Sequence, residues 1–246
     1  MEQALLIIDP NNDFTDSLGR LYVPKAEPAV EAIAKYILEE NPAAIYLSQD
    51  THLSYHIGHC AYWTGETYPF GHVTREDVLS GRIVPRHAPQ EQVLRYLEQL
   101  EARKAVHTLW PEHCMLGTWG WAFPLPLTTA LKDWHQYNVG RRPLEVYQKG
   151  MFADAEMYSI FSYANANTID PRGQQIMAQL ATYDQLIVCG FAKDYCVAES
   201  VRDLRADERF RGKLCFYTEG MAAIDEHADS LRIYADCIEH FGATEI

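Results

Sequence analysis

The stretch from Asp184 to Val201, DQLIVCGFAKDYCVAESV, constrains the fold of this chain more than any other segment. It combines a short apolar and β-branched run, 186–188, with Gly190 and then a segment of helical spacing. This order is typical of a buried parallel strand that passes through a tight turn into a helix. The stretch therefore predicts an α/β domain in which Cys196 lies in the first turn of a helix.

The position of Cys196 makes its thiol a candidate nucleophile. Unpaired backbone N–H groups and the positive end of the helix dipole favour an anion there, so we expect the thiol to ionise more easily than a free cysteine. The alternative is a cysteine that packs as a small apolar residue. The positions of the other reactive side chains decide between the two.

The rest of the chain alternates between apolar runs of strand length and amphipathic segments of helix length. Predicted strands lie at 4–8, 43–48, 144–148 and 213–218, and predicted helices lie at 27–40, 90–103, 127–137, 173–182 and 227–241. Strand, helix and strand joined by short connections indicate right-handed parallel crossovers. We predict one domain over 1–246, a three-layer α/β/α arrangement with a central parallel sheet, Rossmann-like in outline. A segment at about 60–107 interrupts the rhythm and is predicted to be an insertion with its own helix.

The composition of the chain limits the classes of binding partner and the cellular compartment that we expect for it. The formal net charge of −13 is dispersed without a long acidic block, so nucleic acid and anionic membrane surfaces are poor partners. The 6 cysteines form no CxxC pair, which argues against a disulfide framework or a zinc ribbon. The first residues, MEQALLIIDP, lack the features of a leader, and no apolar run approaches a membrane span. These features predict a cytoplasmic protein.

Four reactive side chains share one property: each lies at, or just beyond, the carboxyl end of a predicted strand. They are Asp9, Asp50, Lys149 and Cys196. Taken singly, the first three have ordinary interpretations as turn formers, a cap or a solvated surface charge. In an open parallel sheet, however, the carboxyl ends of the strands share the edge where ligands bind. The four groups are therefore predicted to meet in one crevice.

The chemistry of this set indicates acyl transfer to water through a thioester. Asp9 could take the proton of Cys196, and Lys149 could hold that carboxylate in place and lower the pKa of the thiol. Backbone N–H groups near Ala192 and Cys196 could form an oxyanion hole at the turn from strand to helix.

A second constellation mixes one carboxylate with imidazoles. Asp50 and His52, with His56 and His113, form a ligand set suited to zinc, and also to iron or manganese, with positions left for water or substrate. The remaining histidines considered are predicted to be solvated or structural: His59, His72, His87, His107 and His135.

Five motifs together resemble those of the isochorismatase-like cysteine hydrolases, most closely the nicotinamidase branch. They are IIDPNNDF, SQDTH, WPEHCMLGTWG, VYQKGMFADAEMYSIF and VCGFAKDYCV. By that resemblance Asp9, Lys149 and Cys196 match the catalytic triad. Asp50, His52 and His113 match the metal ligands, His56 matches a further histidine near the metal, and Phe14, Trp110 and Tyr158 match aromatic residues of the substrate pocket. The resemblance also implies a cis peptide between Phe191 and Ala192.

The resemblance implies hydrolysis of a small carboxamide, with nicotinamide converted to nicotinate and ammonia as the first choice, and assembly as a dimer or tetramer. The chain departs from the branch in its long span between His52 and His113, in Lys193, and in the bulk of Trp119 and Trp121. Two alternatives stay open. One is a related hydrolase that acts on a ureido, carbamoyl or enol ether compound, and the other is a binding protein that keeps the scaffold without the reaction.

Overall fold

The computed structural model describes residues 1–165 and 170–246. Its strands are β1 (Gln3–Ile8), β2 (Ala44–Asp50), β3 (Trp63–Gly65), β4 (His72–Val73), β5 (Ile83–Pro85), β6 (His107–Thr108), β7 (Leu144–Lys149), β8 (Gln185–Gly190), β9 (Leu214–Met221) and β10 (Thr244–Glu245). Its α-helices are α1 (Asn12–Thr15), α2 (Ala26–Glu40), α3 (Arg75–Leu79), α4 (Gln90–Ala102), α5 (Leu125–Asn138), α6 (Pro171–Leu180), α7 (Ala198–Arg205) and α8 (Arg232–Phe241). Short 3₁₀ turns lie at Cys60–Tyr62, Glu208–Phe210 and Asp229–Leu231.

A central sheet with six parallel strands has the order β10-β9-β8-β1-β2-β7. Helices α2 and α5 pack together on one side, and α7 and α8 pack together on the other. Since both faces are covered, residues 4–8 of β1 are fully buried, which explains a continuous apolar run instead of an alternating one. The predicted α/β class and parallel sheet are confirmed.

The order of strands reverses at the centre of the sheet. The chain moves from β1 outward to β2 and β7, then returns to β8 on the other side of β1. Such a switch point opens a crevice beyond the carboxyl ends of the two central strands. The strands approach closely there: Gly190 has a φ of 121°, and a Cβ at this position would lie 2.1 Å from the carbonyl oxygen of Ile8. A side chain at Gly190 would therefore push the two central strands apart.

Element boundaries differ from the prediction in two places that matter. Strand β2 continues to Asp50, two residues beyond the predicted end, because each of its residues is buried and the parallel pairing with β7 extends to Asp50 and Lys149. The closing helix begins at Arg232 instead of 227, since residues 229–231 form a separate 3₁₀ turn.

The predicted insertion contains short antiparallel strands, β3 with β5 and β4 with β6, together with α3 and α4. Val93, Leu97 and other apolar residues build a second hydrophobic cluster, distinct from the main core. Backbone hydrogen bonds join the two ends of this segment, from the N–H of Trp110 to the oxygen of Gly58 (2.7 Å) and from the N–H of His52 to the oxygen of Cys114 (3.0 Å). The insertion thus leaves and rejoins the main fold at one place.

None of the helices in the described ranges combines the length and apolar character needed to cross a membrane.

Candidate active site

Three side chains predicted to meet at the sheet edge are in contact. The ammonium of Lys149, at the end of β7, lies 2.9 Å from Oδ2 of Asp9, just beyond β1, and 3.4 Å from Sγ of Cys196. Lys149 also donates to the carbonyl oxygens of Met157 (2.7 Å) and Tyr158 (2.9 Å), which fix its position. Asp9 is fully buried, and Lys149 and Cys196 are nearly so. The sheet edge therefore holds a buried cluster of a carboxylate, an ammonium and a thiol.

The Asp9 carboxylate is held by local backbone and hydroxyl groups. Its residue has a φ of 48°, which turns the chain sharply after β1. The Ser48 hydroxyl donates to Oδ1 of Asp9 at 2.7 Å, and the Asp9 N–H donates to the same hydroxyl oxygen at 3.0 Å. One oxygen of the carboxylate is thereby directed at Ser48 and the other at Lys149.

Burial and the neighbouring charges together determine the protonation of this cluster. Desolvation raises the pKa of Asp9 in spite of the opposing charge of Lys149, and Asp50 adds to the increase. For Lys149, burial alone would lower the pKa, but the charges of Asp9, Cys196 and Asp50 raise it well above the usual range. Lys149 is therefore cationic, and Asp9 is a stronger base than an exposed aspartate.

The expectation of an easily ionised Cys196 is wrong. Burial raises the pKa of this thiol well above its usual range, and Asp9 and Asp50 raise it further, which outweighs the lowering by Lys149. Cys196 also lies in a π-helical turn, Lys193–Val197, that precedes α7, and not in the first turn of the α-helix itself. The thiol is protonated at rest, so it requires a base at the moment of attack.

Asp50, His52 and His113 converge beside the thiol. Oδ2 of Asp50 lies 3.0 Å from Nε2 of His52 and 3.2 Å from Nε2 of His113, and one ligand atom from each residue lies within 4.8 Å of the other two. The Nδ1 atom of His113 is 2.8 Å from the oxygen of Pro111, an arrangement that leaves Nε2 as an electron-pair donor. One carboxylate and two imidazoles at this spacing fit a divalent metal ion.

Two further histidines surround this group. Among the described residues, Nε2 of His56, Nδ1 of His52 and both ring nitrogens of His59 are buried without a hydrogen-bond partner, as a metal or its bound water would require. His59, which was predicted to be solvated or structural, is fully buried: its ring packs against His52 and His113, and it forms a second possible ligand group with His52 and His56. His107, by contrast, is structural, with Nε2 at 2.9 Å from the oxygen of Ile57.

Supporting residues that the sequence did not single out hold the ligand segments together. Asn11 accepts from the N–H of Asp50 (3.1 Å) and donates to its carbonyl (2.9 Å), and Asp13 accepts from the N–H of Cys114 (2.6 Å). Gly150 has a φ of 80°, and a Cβ there would lie 2.8 Å from Cε1 of His52. Asn11 and Asp13 belong to the motif IIDPNNDF, which was the available signal.

A small pocket opens onto Cys196. The expected aromatic residues Phe14, Trp110 and Tyr158 line it, and the indole N–H of Trp110 donates to the Tyr158 hydroxyl at 3.1 Å. Glu156 and Tyr195 also line this pocket and were missed, although both belong to quoted motifs.

The turn before Cys196 has two notable features. The peptide between Phe191 and Ala192 is cis, as the resemblance implied, and Ala192 lines the pocket. Lys193, a departure from the family pattern, directs its ammonium over the ring of Tyr234, 5.2 Å from the centroid, instead of into the pocket. Lys193 is not among the residues that line the pocket.

Sequence comparison identifies two curated relatives of similar identity. A nicotinamidase from Saccharomyces cerevisiae is 26% identical over 198 residues, covering 79% of this chain and 77% of the relative. A nicotinamidase from Escherichia coli is 26% identical over 208 residues, covering 82% of this chain and 75% of the relative. No protein-family model matches the chain.

Solved structures share the fold over the whole chain. A nicotinamidase and pyrazinamidase from Acinetobacter baumanii has a TM-score of 0.67 at 23% identity, with 100% of this chain and 95% of that chain covered. A zinc complex of a pyrazinamidase from Pyrococcus horikoshii has a TM-score of 0.55 at 18% identity, with 100% and 99% covered. Together with the sequence relatives, these structures confirm the resemblance of this chain to the nicotinamidase branch of the isochorismatase-like cysteine hydrolases.

Proposed function

We propose that this protein is a metal-containing cysteine amidohydrolase that converts nicotinamide to nicotinate and ammonia. The contact of Lys149 with both Asp9 and Cys196, next to Asp50, His52 and His113, is the observation that carries the proposal. The nicotinamidases of Saccharomyces cerevisiae and Escherichia coli supply the choice of substrate.

In the first half of the reaction, the sulfur of Cys196 attacks the amide carbon while its proton passes to the Asp9 carboxylate. The protonated resting state of the thiol makes this coupling necessary, and the raised pKa of Asp9 makes its carboxylate a suitable acceptor. The tetrahedral oxyanion then collapses, the C–N bond breaks, and Asp9 returns the proton to the departing nitrogen. Ammonia leaves, and the acyl group remains on Cys196 as a thioester.

In the second half, a water oxygen attacks the thioester carbon while Asp9 takes a proton from that water. Collapse of this second intermediate breaks the C–S bond, and the proton returns from Asp9 to the sulfur, which restores the resting enzyme and releases nicotinic acid, which loses its proton to solvent to give nicotinate. Lys149 keeps its charge throughout and holds Asp9 against the thiol. The N–H groups of Ala192 and Cys196 are assigned to the oxyanion in both halves.

Asp50, His52 and His113 are assigned as ligands of a divalent metal, with zinc as the first choice because one carboxylate and two imidazoles suit it and a related pyrazinamidase binds zinc. When bound, the metal supplies a Lewis acid that can hold and orient a ring nitrogen of the substrate. His56 accepts a hydrogen bond at Nδ1 from the Gly58 N–H (3.2 Å), which places its proton on Nε2 as a donor. His56 is therefore assigned to hydrogen bonding near the metal.

The walls of the pocket suit a planar aromatic amide. Phe14 packs against His113 with ring centroids 5.4 Å apart, and Trp110 and Tyr158, joined by a hydrogen bond, also line the pocket. A flat ring between these side chains would place its carboxamide near Cys196 and the opposite edge near the imidazoles. We assign Phe14, Trp110 and Tyr158 to substrate binding on this basis.

We further propose one domain over 1–246, with the insertion as part of it, assembly as a homodimer or homotetramer, and a cytoplasmic location. All 6 cysteines are free thiols, which suits a reducing compartment. Light scattering of purified protein tests the assembly, and a monomer at micromolar concentration would contradict it.

An amide panel read out as ammonia release, combined with metal analysis of the purified protein, tests the function. We expect nicotinamide to be hydrolysed and about one divalent ion per chain to be bound. A panel that includes ureido and carbamoyl compounds separates the proposal from its alternatives. If only a ureido compound is hydrolysed, that compound is the substrate in place of nicotinamide. If fully metallated protein hydrolyses none of the compounds, the alternative of a binding protein is favoured.

A further inference from the structure

A larger cavity, which we call the groove, lies next to the catalytic pocket. Its volume is about 610 Å³, and Tyr158 and Tyr195 line both cavities. Residues of the insertion and of α7 also line the groove, among them Tyr96, Leu100, Glu199 and Arg202. The two cavities differ in how their acidic side chains are paired.

Each carboxylate that lines the groove has a hydrogen-bond or ion-pair partner within the described residues. These carboxylates belong to Asp194, Glu199, Asp225 and Asp229. In the catalytic pocket, by contrast, one carboxylate oxygen has no such partner. This oxygen belongs to Glu156, a residue to which the reaction described above gives no role.

Glu156 lines the catalytic pocket and is only 4% exposed. Its Oε1 accepts from the N–H of the next residue, Met157, at 3.0 Å. No hydrogen-bond donor in residues 1–165 and 170–246 pairs with Oε2. Burial of a carboxylate costs free energy unless its charge is compensated. The free oxygen therefore indicates a positive partner that the protein chain does not itself supply.

The absence of a side chain at Gly58 makes room for this carboxylate. A Cβ at Gly58 would lie 2.4 Å from Oε2 of Glu156 and 3.2 Å from Nδ1 of His56. The N–H of Ile57 donates to the carbonyl oxygen of Ala153 at 2.7 Å, which joins the segment that carries His56 to the segment that carries Glu156. The fold thus holds Glu156 beside the histidine cluster.

Negative charge is in excess around this cluster. Asp50 and Glu156 line the pocket, and Asp9 lies in contact with Lys149, the one Lys or Arg among the described residues of the pocket wall. All four side chains belong to residues that are at most 4% exposed. Three buried carboxylates beside one ammonium leave two negative charges in excess, which is the charge that one divalent cation balances.

The charge of Glu156 acts on a residue of the ligand set. Burial lowers the pKa of His52, Asp50 raises it, and Glu156 raises it further. Glu156 nevertheless belongs to neither of the two possible ligand groups in the described part of the chain. Carboxylates outside the ligand set are known to strengthen metal sites, because they stabilise the ligands and the charge of the ion.

We infer that Glu156 is a positioning residue for the metal: its charge, supplied from outside the ligand set, increases the affinity of Asp50, His52 and His113 for a divalent ion. The inference rests on the metal assigned under the proposed function and adds a residue that determines how tightly this ion is held. A neutral amide of the same shape at position 156 would leave the three ligands in place and remove one of the two excess charges.

Zinc affinity, measured by competition with a chromogenic chelator, tests this role without any turnover. Glu156→Gln keeps the shape of the side chain and removes its charge, so we expect zinc binding to weaken by about 10- to 100-fold. Glu156→Asp keeps the charge and is expected to lose less affinity. The matched control is Glu112→Gln, which removes a charge next to the ligand His113 but outside the pocket, and which should stay within about twofold of wild type.

Thermal unfolding separates this role from a purely structural one. Glu156→Gln removes one of three buried like charges, so the unfolding midpoint of the metal-free variant should equal or exceed that of metal-free wild type. The rise of the midpoint on adding zinc should be smaller in the variant, because its zinc affinity is lower. A lower midpoint of the metal-free variant, together with unchanged zinc affinity, would assign Glu156 to structure alone and overturn the inference.

The remaining outcomes distinguish this inference from the proposed function. If wild-type protein hydrolyses nicotinamide but Glu156→Gln binds zinc as tightly as wild type, only the inference fails. An equal loss of zinc affinity in Glu112→Gln or in Glu156→Asp also overturns it. If zinc affinity depends on Glu156 but no amide is hydrolysed, only the proposed reaction fails. Wild-type protein that binds no divalent ion would overturn both the metal assignment and the role of Glu156.

Discussion

The catalytic crevice and the groove beside it are built on different principles. Strand ends supply the crevice: Asp9 follows β1, Asp50 and Lys149 end the neighbouring strands β2 and β7, and all three are buried. The insertion and one helix face supply the groove, which is open and lined by side chains at the surface. The sheet therefore holds the reacting groups, whereas the insertion contributes residues to the groove and none to the catalytic pocket.

Loss of the thiol should have the largest effect on the crevice. Cys196→Ala removes the atom that forms the thioester, so we expect ammonia release from nicotinamide to fall by at least about 10⁴-fold. Cys60→Ser, in the insertion and outside the pocket, serves as the control and should retain wild-type turnover. Similar rates for the two variants would remove Cys196 from the mechanism.

Loss of the base should cost nearly as much. Asp9→Asn keeps the shape of the side chain but cannot accept the thiol proton, and the expected decrease in kcat is about 10²- to 10⁴-fold. The unfolding midpoint, measured alongside, shows whether the variant still folds. An Asp9→Asn enzyme with normal kcat would mean that another group accepts the proton.

Metal loss should affect the crevice and spare the groove. Dialysis against a chelator, or His113→Ala, should lower bound metal and nicotinamide hydrolysis together by about tenfold or more, and added zinc should restore the dialysed wild type but not the variant. His135→Ala, at an exposed position in α5, is the matched control. Metal-free protein with full activity would confine the cluster to a structural role.

Equal cavities in the two regions should have unequal consequences for catalysis. Leu97→Ala in the insertion and Ile8→Ala beside Asp9 both truncate fully packed side chains, and each should lower the free energy of unfolding by about 2–5 kcal/mol. Only Ile8→Ala should also lower kcat for nicotinamide, by about 10²-fold if Asp9 moves by 1 Å. Equal losses of kcat would show that the insertion supports the reacting groups after all.

A change in the hydrogen bond to Asp9 should produce the smallest effect. The Ser48 hydroxyl lowers the pKa of Asp9, so Ser48→Ala should raise it further. Since catalysis needs ionised Asp9, activity is lost as the pH falls through this pKa, and the acidic limb of the kcat/KM profile should move to higher pH. An unchanged limb would assign that limb to another group.

The residues of the crevice could be predicted from the sequence because the order and the ends of the strands determine which side chains lie there. Apolar runs that end in Asp9, Asp50, Lys149 and the turn before Cys196 fix which side chains share the sheet edge, whatever the exact packing. The ends of the strands were predicted less accurately, as the extension of β2 to Asp50 shows. Pairing with β7, and not the local sequence pattern, determines where this strand ends.

Properties that depend on three-dimensional burial could not be predicted. The pKa of Cys196 follows from desolvation and from carboxylates distant in sequence, and a local helix argument gave the wrong direction. His59 follows His52 by seven residues, and only the fold of this loop against Trp110 brings its ring back to the cluster. The groove is lined by residues of the insertion and of α7 together. No local sequence pattern indicates how these two segments pack against each other, so the groove could not be predicted.

A rapid-quench experiment tests the central claim most directly. Wild-type protein is mixed with excess nicotinamide, stopped in acid within the first turnovers, and digested for mass spectrometry. We predict that the peptide containing Cys196 carries the acyl group of nicotinate, and that Asp9→Asn protein forms this adduct much more slowly. Steady turnover of nicotinamide by Cys196→Ala protein would contradict it.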